Sequence, residues 1–202
     1  MTQKIHHYAG LIMAFFIGLH LLNHSMILIS EELYMSFMDF ARKIYRNPVS
    51  ETILLTAVLI QVISGIKLFR KKWPQKRNLF DRLQLFSGLY FTYFLITHTA
   101  AVLAGRHYFG LDTNLYFGAS VVNMYPVLLF YVFHYGLAVF AFFAHIGSLH
   151  YIKIQRFVSE KSARNHGYLF LMGGTLLAFL IVGKLMSVDV PDEYINVYEG
   201  IF

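Results

Sequence analysis

Ten histidines and no cysteine set the chemistry open to this 202-residue chain. Without thiols there is no disulfide, thiolate metal site, iron–sulfur cluster or cysteine nucleophile, so a redox centre has to hang on imidazole. Two histidines recur in one pattern. Gly10, Leu11, Phe16 and His20 have the same spacing as Gly88, Leu89, Phe94 and His98, and a small residue, Ala9 or Ser87, precedes each glycine. Both histidines fall inside long apolar runs, where an unpaired polar side chain costs at least a few kcal/mol. Two neutral imidazoles at one depth on parallel helices can approach a single iron from opposite sides, as in a six-coordinate haem. With both axial positions filled, such a centre carries electrons and neither binds nor activates oxygen. His20 and His98 are therefore the expected haem ligands, and Gly10 and Gly88 are expected to admit a porphyrin edge or a neighbouring helix. The plainer reading of any one membrane histidine is a hydrogen bond to a neighbouring helix. The shared ten-residue spacing sets this pair apart.

The elements that must position these residues are legible from composition. The chain is 57% hydrophobic and 14% charged, against roughly 25% charged in an ordinary soluble domain, which argues against disorder, a disulfide scaffold and a soluble enzyme. Five apolar runs are long enough to cross ~30 Å of hydrocarbon. They read as helices over about 5–29, 49–69, 83–105, 124–150 and 167–188, forming one all-α transmembrane domain over residues 1–202. Of the 17 Lys and Arg residues, 12 fall at the N-terminus and in the second and fourth connections, and four on the other side; Lys184 lies within the fifth run. Nine of the 11 acidic residues occupy that other side. By the positive-inside rule the N-terminus is expected to be cytoplasmic and the C-terminus external. The net charge of +6 is then a topology signal and does not point to nucleic acid.

The first run is too long for a signal peptide and carries His20, Asn23 and His24. Between Glu31 and Pro48, the spacing of Leu33, Phe37, Phe40, Ala41 and Ile44 predicts a short amphipathic helix at the outer interface. In the fourth run His134 is expected near mid-membrane, level with Gln61, Ser64 and Gly65 of the second. A hydrogen bond from His134 to Gln61, to Ser64 or to a haem propionate is as reasonable there as iron ligation. His24 reads as interfacial, and so do His145, His150, His6, His7 and His166 near the cytoplasmic boundary.

An Arg/His-x-x-(Ser/Ala)-Gly pattern with a membrane histidine ten residues after its glycine, five helices, and Gln84-Leu85-Phe86-Ser87-Gly88 leading into the third resemble one known family. It is the single-chain cytochrome b anchor subunit of succinate:quinone oxidoreductases and quinol:fumarate reductases. The resemblance covers the first four membrane helices. It implies haem b as cofactor, quinone as substrate, and a flavoprotein and an iron–sulfur protein as cytoplasmic partners. It also implies a bacterial inner (cytoplasmic) membrane as the location. Dihaem members draw ligands from four helices: His20 and His98 match the outer pair, and His134, in Phe133-His134-Tyr135-Gly136, matches the fourth-helix ligand. Gln61, four before Gly65, stands where the second-helix histidine should be. One haem is therefore expected, and a second would require another partner for His134. Lys71, Lys72, Lys76, Arg77 and Arg82 are a candidate docking patch, with contact to anionic lipid as the alternative. Glu31, Glu32, Glu51 and Arg106 are candidate proton-handling groups on the outer side. A monohaem cytochrome b with other redox partners and a non-redox polytopic protein are the rival readings.

Overall fold

The computed structural model describes residues 1–75 and 78–199. Among them eight α-helices follow in order: α1 (Thr2–Met26), α2 (Glu31–Tyr45), α3 (Pro48–Lys72), α4 (Leu79–His107), α5 (Leu115–Asn123), α6 (Leu128–Ile154), α7 (Glu160–Leu185) and α8 (Asp192–Glu199), with a single 3-10 turn (Trp73–Gln75) after α3. Five of them, α1, α3, α4, α6 and α7, are long and apolar enough to span a membrane. Their 25–29 residues reach about 38–44 Å at 1.5 Å per residue, longer than the ~30 Å hydrocarbon layer.

The extra length explains why the helices overrun the apolar limits read from sequence. Hydropathy sees only the part in hydrocarbon, whereas polar caps beyond it set the ends. Asn47 accepts from the Ser50 amide with Pro48 at the first helical position. Asn78 and Asp81 form a reciprocal capping box on α4, and Ser159 accepts from Ser162 to start α7. Each such cap stabilises its helix by about 1 kcal/mol. The expected start of the fourth span at Met124 is displaced to Leu128. Met124 is extended, Pro126 follows it, and the residues before it form the separate helix α5, capped by Asn114. That helix was not expected from the sequence.

Around the bundle α3 lies beside α1, α4 beside α3, α6 beside α4 and α7 beside α6, the last pair having the most extensive contact. One end of the bundle holds the α1 N-terminus and the α3–α4 and α6–α7 connections, and is the basic end. At the other end α2, α5 and α8 form a cap. Here Ile27, Tyr34, Met38, Leu115, Val122 and Leu185 make the largest buried cluster. Phe15, Phe133, Leu169, Met172 and Phe179 are each about 70% exposed, an apolar outer surface that suits lipid and not water.

Ion pairs tie the cap together. Asp112 receives Arg42 at 2.8 Å and Arg46 at 3.4 Å, Arg46 also donates to Thr113 at 2.6 Å, and Arg106 pairs with Glu51. Burial alone would raise the Asp112 carboxyl, but Arg42 and Arg46 outweigh it and hold the group below its ordinary value. A depressed carboxyl adds stability above its unfolded value, ~3.9, and loses it as pH falls through the lower folded value. The α2 attachment should thus be constant above about pH 5 and weaken below about pH 4. Asp112→Asn should loosen α2 at neutral pH and remove that acid dependence, read by hydrogen exchange of the α2 amides.

Candidate functional site

His20 lies five turns into α1 and His98 slightly more than five turns into α4, so parallel helices raise both to about 27–28 Å from the basic end. The repeat has a local purpose. Phe16 stacks on His20 at 5.7 Å and 17°, and Phe94 stacks on His98 at 5.1 Å and 15°. Each pair is four residues apart on one helix face, so the phenyl ring fixes the imidazole plane. Across the bundle the two imidazoles meet edge-on, with centroids 6.0 Å apart and planes at 62°. The helices α1 and α4 both pack beside α3 and meet chiefly through side chains such as Phe16, Ile17, Phe91 and Leu95.

Two imidazoles bound on opposite sides of one metal, with bonds of ~2 Å, have centroids about 6 Å apart. The observed pair matches that spacing. Among the described residues no three or more His, Cys, Asp or Glu side chains form a metal-holding group, so the site offers two imidazoles and not the three or four protein ligands of a zinc centre. The donor set fits a haem. His20 Nε2 sits 3.2 Å from His24 Nε2, and His24 lies edge-on to Tyr34. Iron ligation would exchange that imidazole hydrogen bond, worth about 1 kcal/mol, for a metal bond. A cavity of about 190 Å³ adjoins His98 on the α6 side. Sites for larger ligands measure about 300–1,000 Å³, so a macrocycle would also have to displace side chains packed between α1 and α4, such as Phe16, Ile17, Phe91 and Leu95.

His134 stands in a different setting from the one read off the sequence. Its Nδ1 lies 3.0 Å from the Tyr90 hydroxyl, its Nε2 lies 3.3 Å from Thr97 Oγ1, and its ring stacks on Phe130 at 4.9 Å. Neither Gln61 nor Ser64 is its partner. Because α6 starts at Leu128, His134 is less than two turns from the cap end, whereas Gln61 is more than three turns into α3. Gln61 instead donates to the His6 carbonyl at 2.7 Å, and Ser64 lies 2.8 Å from His6 Nδ1.

Gly10 and Gly88 are close-approach positions whose neighbours are side chains. A Cβ on Gly10 would come within 3.4 Å of Gln61 Nε2, and one on Gly88 within 2.9 Å of His145 Cε1. His145 donates from Nδ1 to the Gln84 carbonyl at 3.1 Å. Two separate hydrogen-bonded groups, one joining α1 to α3 and one joining α4 to α6, thereby form a layer towards the basic end. Sequence reasoning treated His6 and His145 as boundary histidines; the signal for His145 was Gly88, a gap in α4 that a ring on the opposing helix could fill. Near the same end His150 Nε2 and His166 Nδ1 lie 3.3 Å apart.

Of the other candidates, Glu51 and Arg106 pair with each other, and Lys184 is exposed. Lys71 and Arg82 are exposed and Lys72 is half-buried. Lys76 and Arg77 lie outside the described residues. The chain matches no family model, no curated protein and no solved structure. A functional reading therefore rests on the side chains themselves.

Proposed function

We propose that this protein is a haem b-bearing membrane anchor that passes electrons between a quinone pool and a succinate dehydrogenase or fumarate reductase type complex. One observation carries the reading: two imidazoles 6.0 Å apart, on helices that are not close backbone neighbours, each stacked by its own phenylalanine. His20 and His98 would hold the haem. Such a group would supply reversible one-electron chemistry there. Phe16 and Phe94 keep the rings in register, and the apolar side chains around them exclude water. His24 holds His20 Nε2 by a hydrogen bond that metal binding replaces. In this reading a flavoprotein and an iron–sulfur protein dock at the basic end, which faces the cytoplasm of a bacterium.

The Gln61–His6 bond favours a single-haem form over the dihaem arrangement. Gln61 is occupied, and the rings packed around His134 are those of Tyr90, Tyr93, Phe94, Phe130, Tyr131 and Tyr135, so no second imidazole meets it as His98 meets His20. A pyridine haemochrome assay on the purified chain should count one haem b. Gln61→Ala should keep that count and the reduced-minus-oxidised spectrum. Two haems would overturn the single-haem form; none, from cells with adequate haem, would overturn the cytochrome reading and favour histidines that only satisfy one another, as His20 and His24 do.

A further inference from the structure

His150 and His166 stand apart from the haem candidate pair, and the proposed electron transfer makes no use of them. His150 Nε2 of α6 and His166 Nδ1 of α7 are 3.3 Å apart, and the two rings stack at 28° with centroids 5.5 Å apart. A hydrogen bond of that length is long beside the ~2.9–3.0 Å usual for N–H donors. Two imidazole nitrogens bound at ~2.0–2.1 Å to one tetrahedral zinc ion lie about 3.3–3.4 Å apart, whereas cis positions on a square-planar ion bring them to about 2.8 Å. The observed spacing is that of the tetrahedral ion.

The surroundings hold the pair in place and leave it open to water. Phe170, one turn after His166, packs on the His150 ring at 5.4 Å, and its Cβ fills the space beside Gly147, one turn before His150. The same contact that locks α6 against α7 therefore sets the distance between the two nitrogens. His150 lies four residues before the end of α6 and His166 six after the start of α7, about 6 and 9 Å along their helices. That is the edge of the hydrocarbon layer, and both residues are partly exposed. His20 and His24 have a similar separation of 3.2 Å, but they are neighbours on one helix, deeper in its apolar span.

We propose that His150 and His166 form an exchangeable zinc site that pins α6 to α7 at the basic end, with two coordination positions left to water. Among the described residues no third His, Cys, Asp or Glu completes a metal-holding group, and resident zinc sites have three or four protein ligands. Lys153, Arg156, Lys161 and Arg164 of the adjoining segment are exposed and oppose a cation through a screened field. Both features place the affinity in the micromolar range. The site rests on neither haem nor quinone.

The test uses the full chain in detergent, stripped with EDTA and titrated calorimetrically with zinc(II) alone. One zinc per chain should bind with micromolar affinity, raise the unfolding temperature, and slow hydrogen exchange in the last turn of α6 and the first two turns of α7. His150→Ala and His166→Ala should each weaken binding at least tenfold. His166→Gln should do the same while unfolding, without zinc, where the wild type does, because its amide still hydrogen-bonds His150 but is a poor zinc ligand. His7→Ala and His107→Ala should change nothing. No zinc response in the wild type would leave an ordinary hydrogen-bonded pair and overturn the proposal. Unchanged affinity in His150→Ala and His166→Ala would overturn it too, as would zinc binding lost in His24→Ala and kept in those two, which would move the site to α1.

Discussion

His20→Ala and His98→Ala should each cut bound haem from one per chain to less than a tenth. Each substitution removes one of the two imidazoles that would hold the haem and leaves a methyl group where a ring filled the space between α1 and α4. A fall in occupancy from about 0.9 to about 0.1 is roughly a hundredfold in Kd, about 2.7 kcal/mol, a modest demand for the loss of a metal bond. His24 makes the comparison informative, because its Nε2 already sits 3.2 Å from that of His20. His24→Ala should retain the haem, since it removes only the hydrogen-bond partner that iron displaces. Phe16→Leu and Phe94→Leu should keep the haem but broaden its low-spin signal, because the stacked ring that fixes each imidazole plane is gone. The measurement is a pyridine haemochrome count with the low-temperature spectrum of each variant. A six-coordinate haem at full occupancy in both alanine variants would refute the ligand assignment.

The features legible in the sequence are those with a strong one-dimensional signal. Five apolar runs give five spans, and the recurrence of Gly, Leu, Phe and His at fixed offsets places His20 and His98 level with each other before any coordinates are known. The helical period of α2 was also readable. Its protein-facing side, however, is Tyr34, Met38 and Ala41, while Phe40 and Ile44 of the expected apolar stripe remain half exposed or more. A helix with two apolar sides has no unique inward face by pattern alone. The depth of His134 was misjudged because it depends on where α6 begins. That start is fixed by Pro126 and by a short helix, α5, that hydropathy cannot separate from the span after it. The layer of His6, Gln61, Ser64 and His145 was hidden for another reason. His6 and His145 read as boundary residues and Gln61 and Ser64 as neighbours of His134, and only helix neighbourhood, a three-dimensional property, shows that Gly10 and Gly88 receive Gln61 and His145.

The strongest structural prediction concerns two glycines outside any chemistry. Gly147 on α6 receives Phe170 of α7, and Gly174 on α7 receives Phe143 of α6, so the longest helix contact in the molecule is locked by a reciprocal pair. A Cβ added at Gly147 would lie 2.5 Å from Phe170 Cβ, and one at Gly174 would lie 2.4 Å from Phe143 Cβ. The atoms met first are fixed to the backbone, so turning the phenyl ring gives no relief and α6 and α7 must separate. Gly147→Ala and Gly174→Ala should each destabilise by roughly 1–3 kcal/mol through overpacking. Once one has parted the helices the other fits more easily, so the double variant should cost less than the sum. Gly173→Ala and Gly183→Ala are the contrast: nothing lies within 4 Å of either new methyl. A helical alanine is about 0.8–1 kcal/mol better than glycine, so these should be neutral or stabilising. Thermal unfolding in detergent reads all four. Haem count should follow unfolding and not the substitution itself, because His20 and His98 stand on α1 and α4. An early loss of haem from still-folded Gly174→Ala would mean that the ligand pair depends on α7 in a way its contacts do not show.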